Sequence, residues 1–457
     1  MTAVETETLQ QTRMALNQMS AMQAAAAIRN GEITSEELVS ACLQAIELID
    51  PKVEAWAFLD PEYALTQARE ADRQRRSGMP VGPLHGVPVA IKDIFDTRDM
   101  PTEDGSPLHA GRTPAYDATA VARLREAGAI IMGKTVTTEL AVYAPGKTHN
   151  PHDHDRTPGG SSSGSAAAVA SGMVPLAIGT QTNGSVIRPA SYCGVVGYKP
   201  SHGLISRYRV LSLSRQLDHV GVFTRSVEDA ALLAQQMMGF DEQDADTHPR
   251  PRHDLLSVAL QEPPTPPRLA FIKTSVWDQA AQDVVDGFAE LTAFLGQQVE
   301  EIELPELFNN AHAWHRCIME TDLAINLQRE YERGGDGLSH VLREMIERGG
   351  QTLALDYHKA LEMIPTLNAI LTETLLEYDA IITPSVTGEA PLGLASTGSP
   401  VFCTLWSLCG VPAVSLPLLQ GSNGMPIGVQ LVAAKGDDAR LLRTARWLAR
   451  FTATASA

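Results

Sequence analysis

The sequence predicts an α/β fold, and three observations support that class. Residues 117–134, DATAVARLREAGAIIMGK, read as a helix that ends near Gly128 and leads into an apolar strand. Three apolar runs in the C-terminal part, at 380–384, 411–417 and 428–432, have the pattern of buried strands. The chain has 457 residues and is 44% hydrophobic, which suffices for one large core. Helices that alternate with buried strands are typical of α/β proteins.

Local signals bound the first and last helices. Thr34 and Glu37 form a capping-box pattern, which predicts a helix that runs to about Ile49. A closing amphipathic helix is predicted from Asp437 onward. The proline-rich segment 249–267 predicts a connection over the surface.

Charge and cysteine content exclude several classes of function. The chain has 36 basic and 54 acidic residues, and this net charge of −18 disfavours unaided binding to nucleic acid or to an anionic membrane. The five cysteines are scattered without a CxxC pair, so neither a disulfide framework nor a zinc site is indicated. No apolar run approaches the roughly 18 residues of a transmembrane helix, and residues 1–12 lack the basic and apolar character of a secretory signal. We therefore expect a cytoplasmic protein.

Two loops rich in glycine and serine organise the middle of the chain, GGSSSGS at 159–165 and GTQTNGS at 179–185. Glycine lets backbone N–H groups converge on one point, where they can bind an anion. A hydroxyl at the end of such a loop can attack a carbonyl while those N–H groups stabilise the oxyanion, and Ser185 is in that position. A flexible linker is the alternative, but the first loop opens directly into an alanine-rich helix and an apolar run at 174–178. A phosphate site is less well supported, because no Gly-Lys-Ser/Thr closes either loop.

A base for this hydroxyl is suggested by a lysine rather than by a histidine. No histidine lies where the sequence would place it in a Ser-His-Asp arrangement, whereas the apolar strand LHGVPVAIKD at 84–93 ends in Lys92. Burial in an apolar interior lowers the pKa of a lysine, which can then act as a neutral base. The alternative is that Lys92 reaches the surface or pairs with Asp93.

The segments GVPVAIKD, GGSSSGS and GTQTNGS stand in the order found in the amidase signature family, and the chain resembles that family over most of its length. The resemblance implies the family's fold, a large mixed β-sheet core surrounded by helices, and no cofactor. It also implies a Ser-cisSer-Lys triad, with Ser185 as nucleophile, Ser161 as bridging serine after a cis peptide bond, and Lys92 as base. The proton of Ser185 would pass through the hydroxyl of Ser161 to Lys92.

The resemblance also implies an oxyanion hole built from the backbone N–H groups of Thr182, Asn183, Gly184 and Ser185. Many family members have glycine where this chain has Asn183. Asparagine is among the residues that tolerate a positive φ, so this departure does not threaten the hole.

Two arginines are expected near the substrate. Arg188 follows the nucleophile in the order seen in the malonamidase-like branch, GTQTNGSVIRPA, where the arginine looks toward a substrate carboxylate. Pairing with a core Asp or Glu is the alternative for Arg188. Arg209 stands where the family often has glycine and is a candidate contact for a polar substrate such as a carbamate or acid, with an exposed arginine of no role as the alternative.

We expect residues 1–457 to form a single amidase domain with a variable helical cover over the substrate cleft at about 268–378. The family places its specificity in such a cover. His149, His152 and His154 lie close together beside aspartates, but no other ligand cluster is evident. We therefore interpret them as loop histidines and expect no metal site.

Two function hypotheses remain from the sequence. The leading one is a serine hydrolase that cleaves amide, anilide or carbamate (urethane) C–N bonds of a small molecule, without nucleic acid or membrane as a partner. The alternative is the glutamine-hydrolysing subunit of an aminoacyl-tRNA amidotransferase, which would need a partner protein and tRNA. An inactive binding relative is disfavoured because all three triad residues are present. A homodimer is left open.

Overall fold

The computed structural model describes residues 16–249, 251 and 254–455. An 11-stranded mixed sheet forms the centre of the molecule, in the order β1-β3-β2-β4-β6-β5-β10-β11-β9-β7-β8. The strands are β1 (Trp56–Leu59), β2 (Pro88–Lys92), β3 (Ile130–Thr135), β4 (Leu176–Gln181), β5 (Val196–Lys199), β6 (His219–Thr224), β7 (Leu269–Ile272), β8 (Val299–Ile302), β9 (Ala380–Pro384), β10 (Ala413–Gln420) and β11 (Pro426–Val432).

Helices surround this sheet. They are α1 (Ala21–Asn30), α2 (Ser35–Val53), α3 (Pro61–Arg76), α4 (Thr119–Glu126), α5 (Ser163–Ala170), α6 (Ile187–Tyr192), α7 (Val227–Met237), α8 (Leu255–Leu260), α9 (Gln282–Leu295), α10 (Ala311–Asn326), α11 (Gln328–Gly334), α12 (His340–Gly350), α13 (Ala354–Thr374), α14 (Val401–Leu408) and α15 (Asp438–Ala455). None of the helices in the described ranges combines the length and apolar character needed to cross a bilayer.

The middle of the sheet positions the two Gly/Ser loops and the lysine. Strands β2 and β4 are parallel neighbours, and every residue in both is buried. The carboxyl ends of parallel strands meet at one edge of the sheet, where ligand sites of open α/β sheets commonly lie. Lys92 ends β2 at that edge, and Thr180 and Gln181 end β4 beside it.

The predicted α/β class and the large mixed sheet are confirmed. The capping box at Thr34 is present, with both reciprocal hydrogen bonds, and the helix that follows it runs beyond Ile49 to Val53. The apolar run at 380–384 coincides with β9. The predictions made for residues 1–12 lie outside the described residues.

Residues 268–378 are mostly helical, as expected, but the segment also contains two strands that the sequence did not indicate. Strands β7 and β8 fall inside it and extend the sheet at one end, since β7 pairs in parallel with both β8 and β9. The reason is visible in β7, whose four residues are apolar and all buried. Helical structure without strands occupies the later part, where α10 to α13 follow one another.

Candidate active site

Ser185 lies in the loop between β4 and α6, with 9% of its surface exposed. The backbone N–H of Ser161 donates a hydrogen bond to Ser185 Oγ over 3.1 Å. The structure therefore brings together the two serines that the sequence singled out.

Lys92 joins them from the end of β2. Its side chain is completely buried, and its Nζ lies 2.7 Å from Ser161 Oγ and 2.8 Å from Thr180 Oγ1. Within the described part of the chain, Lys92 forms no ion pair with an acidic side chain, so the alternative pairing with Asp93 does not form. Asp93 Oδ1 lies 3.1 Å from Lys134 Nζ instead. Burial lowers the pKa of Lys92 well below its usual range, although the negative charge of Asp218 opposes this shift.

The loop that carries Ser161 requires a residue without a side chain at position 160. Gly160 has a φ of +63°, and a Cβ added to it would lie 2.7 Å from Pro189 Cδ and 3.2 Å from Ser185 Cα. The next part of the loop is tied to β4, because Ser162 Oγ donates to Thr180 O over 3.1 Å and accepts from Thr180 N over 3.2 Å. The two loops are thus held against each other at close range.

The expectation of a cis peptide bond before Ser161 is wrong. The described residues contain no cis peptide bond. The chain turns instead at two consecutive glycines of positive φ, Gly159 at +82° and Gly160 at +63°. The link from Ser161 to Ser185 also differs from the expected hydroxyl contact, since it is made by the backbone N–H of Ser161.

The backbone N–H groups of Thr182, Asn183, Gly184 and Ser185 donate no hydrogen bond to another group in residues 16–249, 251 and 254–455. Their carbonyls are occupied instead: His315 Nε2 donates to Thr182 O over 3.0 Å, and Ser407 Oγ donates to Asn183 O. This leaves a run of four unpaired donors beside the hydroxyl of Ser185, as an oxyanion hole requires. We refer to residues 182–185 as the oxyanion loop, after the role that we propose for them below.

Asn183 does not use its tolerance of positive φ, because its φ is not positive. Its side chain has another use. Its Nδ2 donates to Tyr143 OH over 2.9 Å, and its Oδ1 accepts from Thr404 Oγ1 over 2.8 Å. The departure from glycine therefore adds two anchors to the oxyanion loop.

Asp218 anchors the start of the same loop. Its carboxylate accepts from Thr182 Oγ1 over 2.6 Å and from the N–H groups of Leu213 and Ser214 over 2.9 and 3.0 Å. Burial raises the pKa of Asp218, and these hydrogen bonds oppose the rise. A cleft of about 400 Å³ opens here, lined by Thr180, Thr182, Asp218 and the loop at 207–213.

Arg188 lies one helical turn beyond Ser185 and is almost completely buried. Its Nη2 donates to Thr397 Oγ1 over 3.2 Å, while Nε and Nη1 have no hydrogen-bond partner among the described residues. Its positive charge acts on nearby Tyr143, where it opposes the rise in pKa that burial causes. The alternative pairing with a core Asp or Glu is therefore absent from this part of the structure.

Arg209 lines the cleft and is partly buried. Its guanidinium stacks 4.7 Å from the ring centre of Tyr116 and 5.1 Å from that of Tyr208. Its backbone has a φ of +63°, a conformation rare for an arginine. The structure thus holds Arg209 at the cleft between two aromatic rings.

The three loop histidines do not converge. His149 Nδ1 donates to the carbonyl of His154 over 2.6 Å, and His152 Nε2 donates to that of Cys193 over 2.9 Å. Within the described ranges, no three His, Cys, Asp or Glu side chains are grouped to hold a metal ion.

Sequence reasoning missed three side chains that bind the backbone of the oxyanion loop or its flanks, Gln181, His315 and Ser407. Gln181 lies inside a recognised motif, and its polar amide in an otherwise apolar strand was the available signal. His315 and Ser407 lie 133 positions from Thr182 and 224 positions from Asn183, and no local pattern marks them.

Known proteins resemble this chain over most of its length. The family model described as Amidase matches residues 37–442. A glutamyl-tRNA(Gln) amidotransferase subunit from Acidothermus cellulolyticus is 35% identical over 468 residues, covering 93% of this chain and 92% of the relative. Curated relatives from other bacteria carry the same name at 33–35% identity.

Solved structures share the fold. A structure of an unexpected vestigial protein complex, which reveals the evolutionary origins of an s-triazine catabolic enzyme, matches with a TM-score of 0.88 at 26% identity and covers 96% of this chain and 98% of that one. Native peptide amidase from Stenotrophomonas maltophilia matches with a TM-score of 0.83 at 28% identity, covering 95% and 97%.

The names of these relatives include a peptide amidase and amidotransferase subunits, and none of the relatives given above is named a malonamidase, so the branch expected from Arg188 gains no support from them. The family itself is established by the match over residues 37–442 and by near full-length relatives above 30% identity. The chain belongs to the Amidase family.

Proposed function

We propose that this chain hydrolyses a C–N bond of an amide or carbamate through an acyl-enzyme formed on Ser185. The observation that carries the proposal is the buried contact of Lys92 with Ser161, whose N–H in turn binds the hydroxyl of Ser185. An unprotonated amine, two serines and a run of free N–H groups supply the base, the nucleophile and the oxyanion donors of an acyl transfer.

In the acylation step, Ser185 Oγ attacks the carbonyl carbon while its proton moves to Ser161 Oγ and the proton of Ser161 moves to Lys92. The negative charge that develops on the carbonyl oxygen is met by the N–H groups of the oxyanion loop. The C–N bond then breaks, and the leaving nitrogen receives the proton back through Ser161. Water attacks the resulting ester by the same route and releases the acid.

The proton relay requires a small movement of the serine side chains. The hydrogen bond to Ser185 comes from the backbone of Ser161. The relay requires the two hydroxyls to come into contact, and rotation about χ1 is the movement we propose for this. Catalytic hydrogen bonds are often incomplete before substrate binds.

The substrate contacts proposed from the site are Arg188 and Arg209. Arg188 offers two unpaired guanidinium nitrogens, Nε and Nη1, in a buried position, which suits a carboxylate or another oxygen acceptor on the substrate. This supports an acidic substrate of the kind that the malonamidase-like order of residues implied. Arg209 faces the cleft from the opposite loop and would meet the part of the substrate that extends outward.

A substrate panel tests the proposal. Purified protein is given aliphatic amides, anilides, malonamate-like acids, ureides and urethanes, and released amine or ammonia is measured. We expect turnover of at least one class, and Ser185→Ala should abolish it while the melting temperature changes little. Turnover that persists in Ser185→Ala would refute the assignment of the nucleophile.

The second candidate is the glutamine-hydrolysing subunit of an aminoacyl-tRNA amidotransferase. Taken alone, the curated relatives favour it over the small-molecule hydrolase, because proteins named as glutamyl-tRNA(Gln) amidotransferase components match over nearly their whole length. The net charge of −18 weakens it, since an acidic surface does not attract tRNA. Both candidates use the same chemistry at Ser185.

A glutaminase assay separates the two candidates. The chain is assayed for ammonia release from glutamine alone and then with the two partner subunits of a bacterial amidotransferase and glutamyl-tRNA. Glutamine hydrolysis that appears only in the complex would establish the second candidate. Turnover of a panel compound by the chain alone, with no response to the partners, would establish the first.

A further inference from the structure

We propose that His315 and Ser407 are positioning residues that aim the N–H groups of Asn183 and Gly184 into the oxyanion hole. The inference rests on the proposed function and deepens it. It assigns a catalytic consequence to two side chains that lie outside the triad and outside the Gly/Ser motifs.

The argument begins with the geometry of the peptide unit. In a trans peptide, the C=O and the following N–H lie in one plane and point in opposite directions. His315 Nε2 holds Thr182 O over 3.0 Å, and Thr182 O belongs to the peptide that contains the N–H of Asn183. This bond therefore fixes the direction of that N–H, away from helix α10.

Ser407 acts in the same way on the next peptide. Its Oγ donates to Asn183 O, which belongs to the peptide that contains the N–H of Gly184. Both N–H groups are left without an acceptor in the described part of the chain. Two consecutive peptide planes are thus fixed through their carbonyl oxygens, by one residue of α10 and one of α14.

Both positioning residues are buried, which restricts the movement of their side chains. His315 has 2% of its surface exposed and Ser407 none. Burial lowers the pKa of His315 to about 4, so its ring stays neutral near neutral pH, and the carbonyl of Thr182 fixes the proton on Nε2. Ser407 Oγ accepts from Gln181 Nε2 over 2.9 Å, which directs the hydroxyl proton toward Asn183 O.

Gln181 extends this arrangement to the far side of the nucleophile. Its Oε1 accepts from the N–H groups of Val186 and Ile187 over 2.8 and 3.0 Å. The oxyanion loop is therefore held from Thr182 to the start of α6 by side-chain bonds to its backbone. A preorganised hole stabilises developing charge without rearrangement during the reaction, which is the condition for its large effect on rate.

The experiment measures phosphonylation of Ser185 by a fluorophosphonate, so it does not require the natural substrate. The phosphoryl oxygen of this reagent occupies the oxyanion hole as fluoride leaves. Second-order labelling rates are compared for the wild type, His315→Leu, His315→Gln and Ser407→Ala, with the labelled peptide identified by mass spectrometry. His315→Gln keeps a donor, whereas His315→Leu removes it.

Removal of one oxyanion donor commonly costs about 10²–10³-fold in rate, and a donor that is only misdirected should cost less. We expect His315→Leu and Ser407→Ala to label about 10- to 100-fold more slowly, and His315→Gln to recover most of the loss. For any panel compound that is turned over, kcat should fall by a similar factor while KM stays within about threefold.

Matched controls separate positioning from general destabilisation. His312 lies one turn earlier on α10, and its Nε2 donates to Val401 O over 3.0 Å, outside the oxyanion loop. Ser385 is a buried serine whose Oγ lies 2.9 Å from Ser415 Oγ. His312→Leu and Ser385→Ala should lower the melting temperature as much as the test variants, yet label at close to the wild-type rate.

Three outcomes are distinguishable. Wild-type protein that is not labelled at Ser185 would refute the proposed function itself. Labelling of wild type at Ser185, with the same rate in His315→Leu and Ser407→Ala, would leave that function intact and overturn the positioning role. An equal loss in the His312→Leu and Ser385→Ala controls would also overturn it, because the effect would then follow from packing alone.

Discussion

At the scale of single residues, Lys92 decides whether the site can work as a base. A lysine that is protonated at neutral pH cannot accept a proton from Ser161, and complete burial lowers the pKa of Lys92, which favours its neutral form. The two hydroxyls near its Nζ can hydrogen-bond to the neutral amine, so the site tolerates the uncharged form.

This gives a prediction for the pH dependence of the reaction. Because the amine must be neutral, kcat/KM should rise with pH through the lowered pKa of Lys92 and level off above it. Lys92→Met should lose about 10²–10⁴-fold in rate and lose that step in the profile. A variant with an unchanged profile would count against Lys92 as the base.

The same shift has a consequence for stability. The folded pKa of Lys92 lies below its unfolded value, so between these two values the unfolded chain holds a proton that the folded chain does not. Stability contributed by this residue therefore rises with pH across that window. In urea titrations, the free energy of unfolding of the wild type should increase relative to that of Lys92→Met as pH increases. A constant difference would contradict the depressed pKa.

Arg188 gives a prediction about substrate choice. A buried guanidinium with two unpaired nitrogens should bind an acidic substrate, and a hydrogen bond to a charged group contributes about 1.5–3 kcal/mol. Arg188→Ala should therefore raise KM about 10- to 100-fold for acidic substrates and little for neutral amides. A uniform loss of folded protein would instead support a structural role.

At the scale of elements, helices α10 and α11 connect the later part of the chain to the catalytic loops. His315 on α10 binds the oxyanion loop, and Asn326 at the end of α10 donates to Leu213 O over 2.9 Å beside the cleft. On α11, Glu330 Oε1 lies 3.3 Å from His109 Nε2. The other ring nitrogen of His109, Nδ1, lies 2.7 Å from Asp104 Oδ2. The cover expected over the cleft is proposed to be this group of helices.

The His109 bridge predicts a pH-dependent attachment of α11. The hydrogen bond to Asp104 is the main cause of a raised pKa at His109, so the charged bridge is fully present below the unfolded value and is lost as pH rises through the folded one. Amide exchange in residues 328–334, corrected for the intrinsic rate, should therefore speed up a few-fold across this range, a modest effect because the bridge is partly exposed. His109→Gln should remove the pH dependence; a dependence that survives the substitution would refute the bridge.

Local sequence signals were sufficient for the elements that carry contiguous motifs. The strand that ends in Lys92, the alanine-rich helix α5 and the strand before Gln181 follow from apolar runs with clear boundaries. Strands such as β1 and β5 have only four residues, and periodicity in so short a run does not distinguish a strand from a loop. β7 and β8 were missed for the same reason.

The candidate site was predictable only where one motif carries one role. Lys92, Ser161 and Ser185 each stand in a recognisable segment, and the structure brings them together. His315 and Ser407 act through tertiary contacts across more than a hundred positions, which depend on how α10 and α14 pack. The geometry at Ser161 was not predictable either, because the glycines before it allow more than one turn.

At the scale of the whole molecule, one sheet edge and two distant helices build the site. Parallel strands β2 and β4 bring the lysine and the Gly/Ser loops to the same edge, while α10 and α14 approach the oxyanion loop from behind. The fold is shared with relatives that include both amidases and amidotransferase components. The proposed chemistry at Ser185 is the central claim, and the substrate is the finer question.

The measurement that tests this claim most directly is rapid-quench mass spectrometry of the wild-type protein during turnover of a panel compound. We predict a mass increase equal to the acyl group, located on the peptide that contains Ser185, and its absence in Ser185→Ala. An acyl group on any other residue, or turnover with no covalent adduct and full activity in Ser185→Ala, would contradict the account.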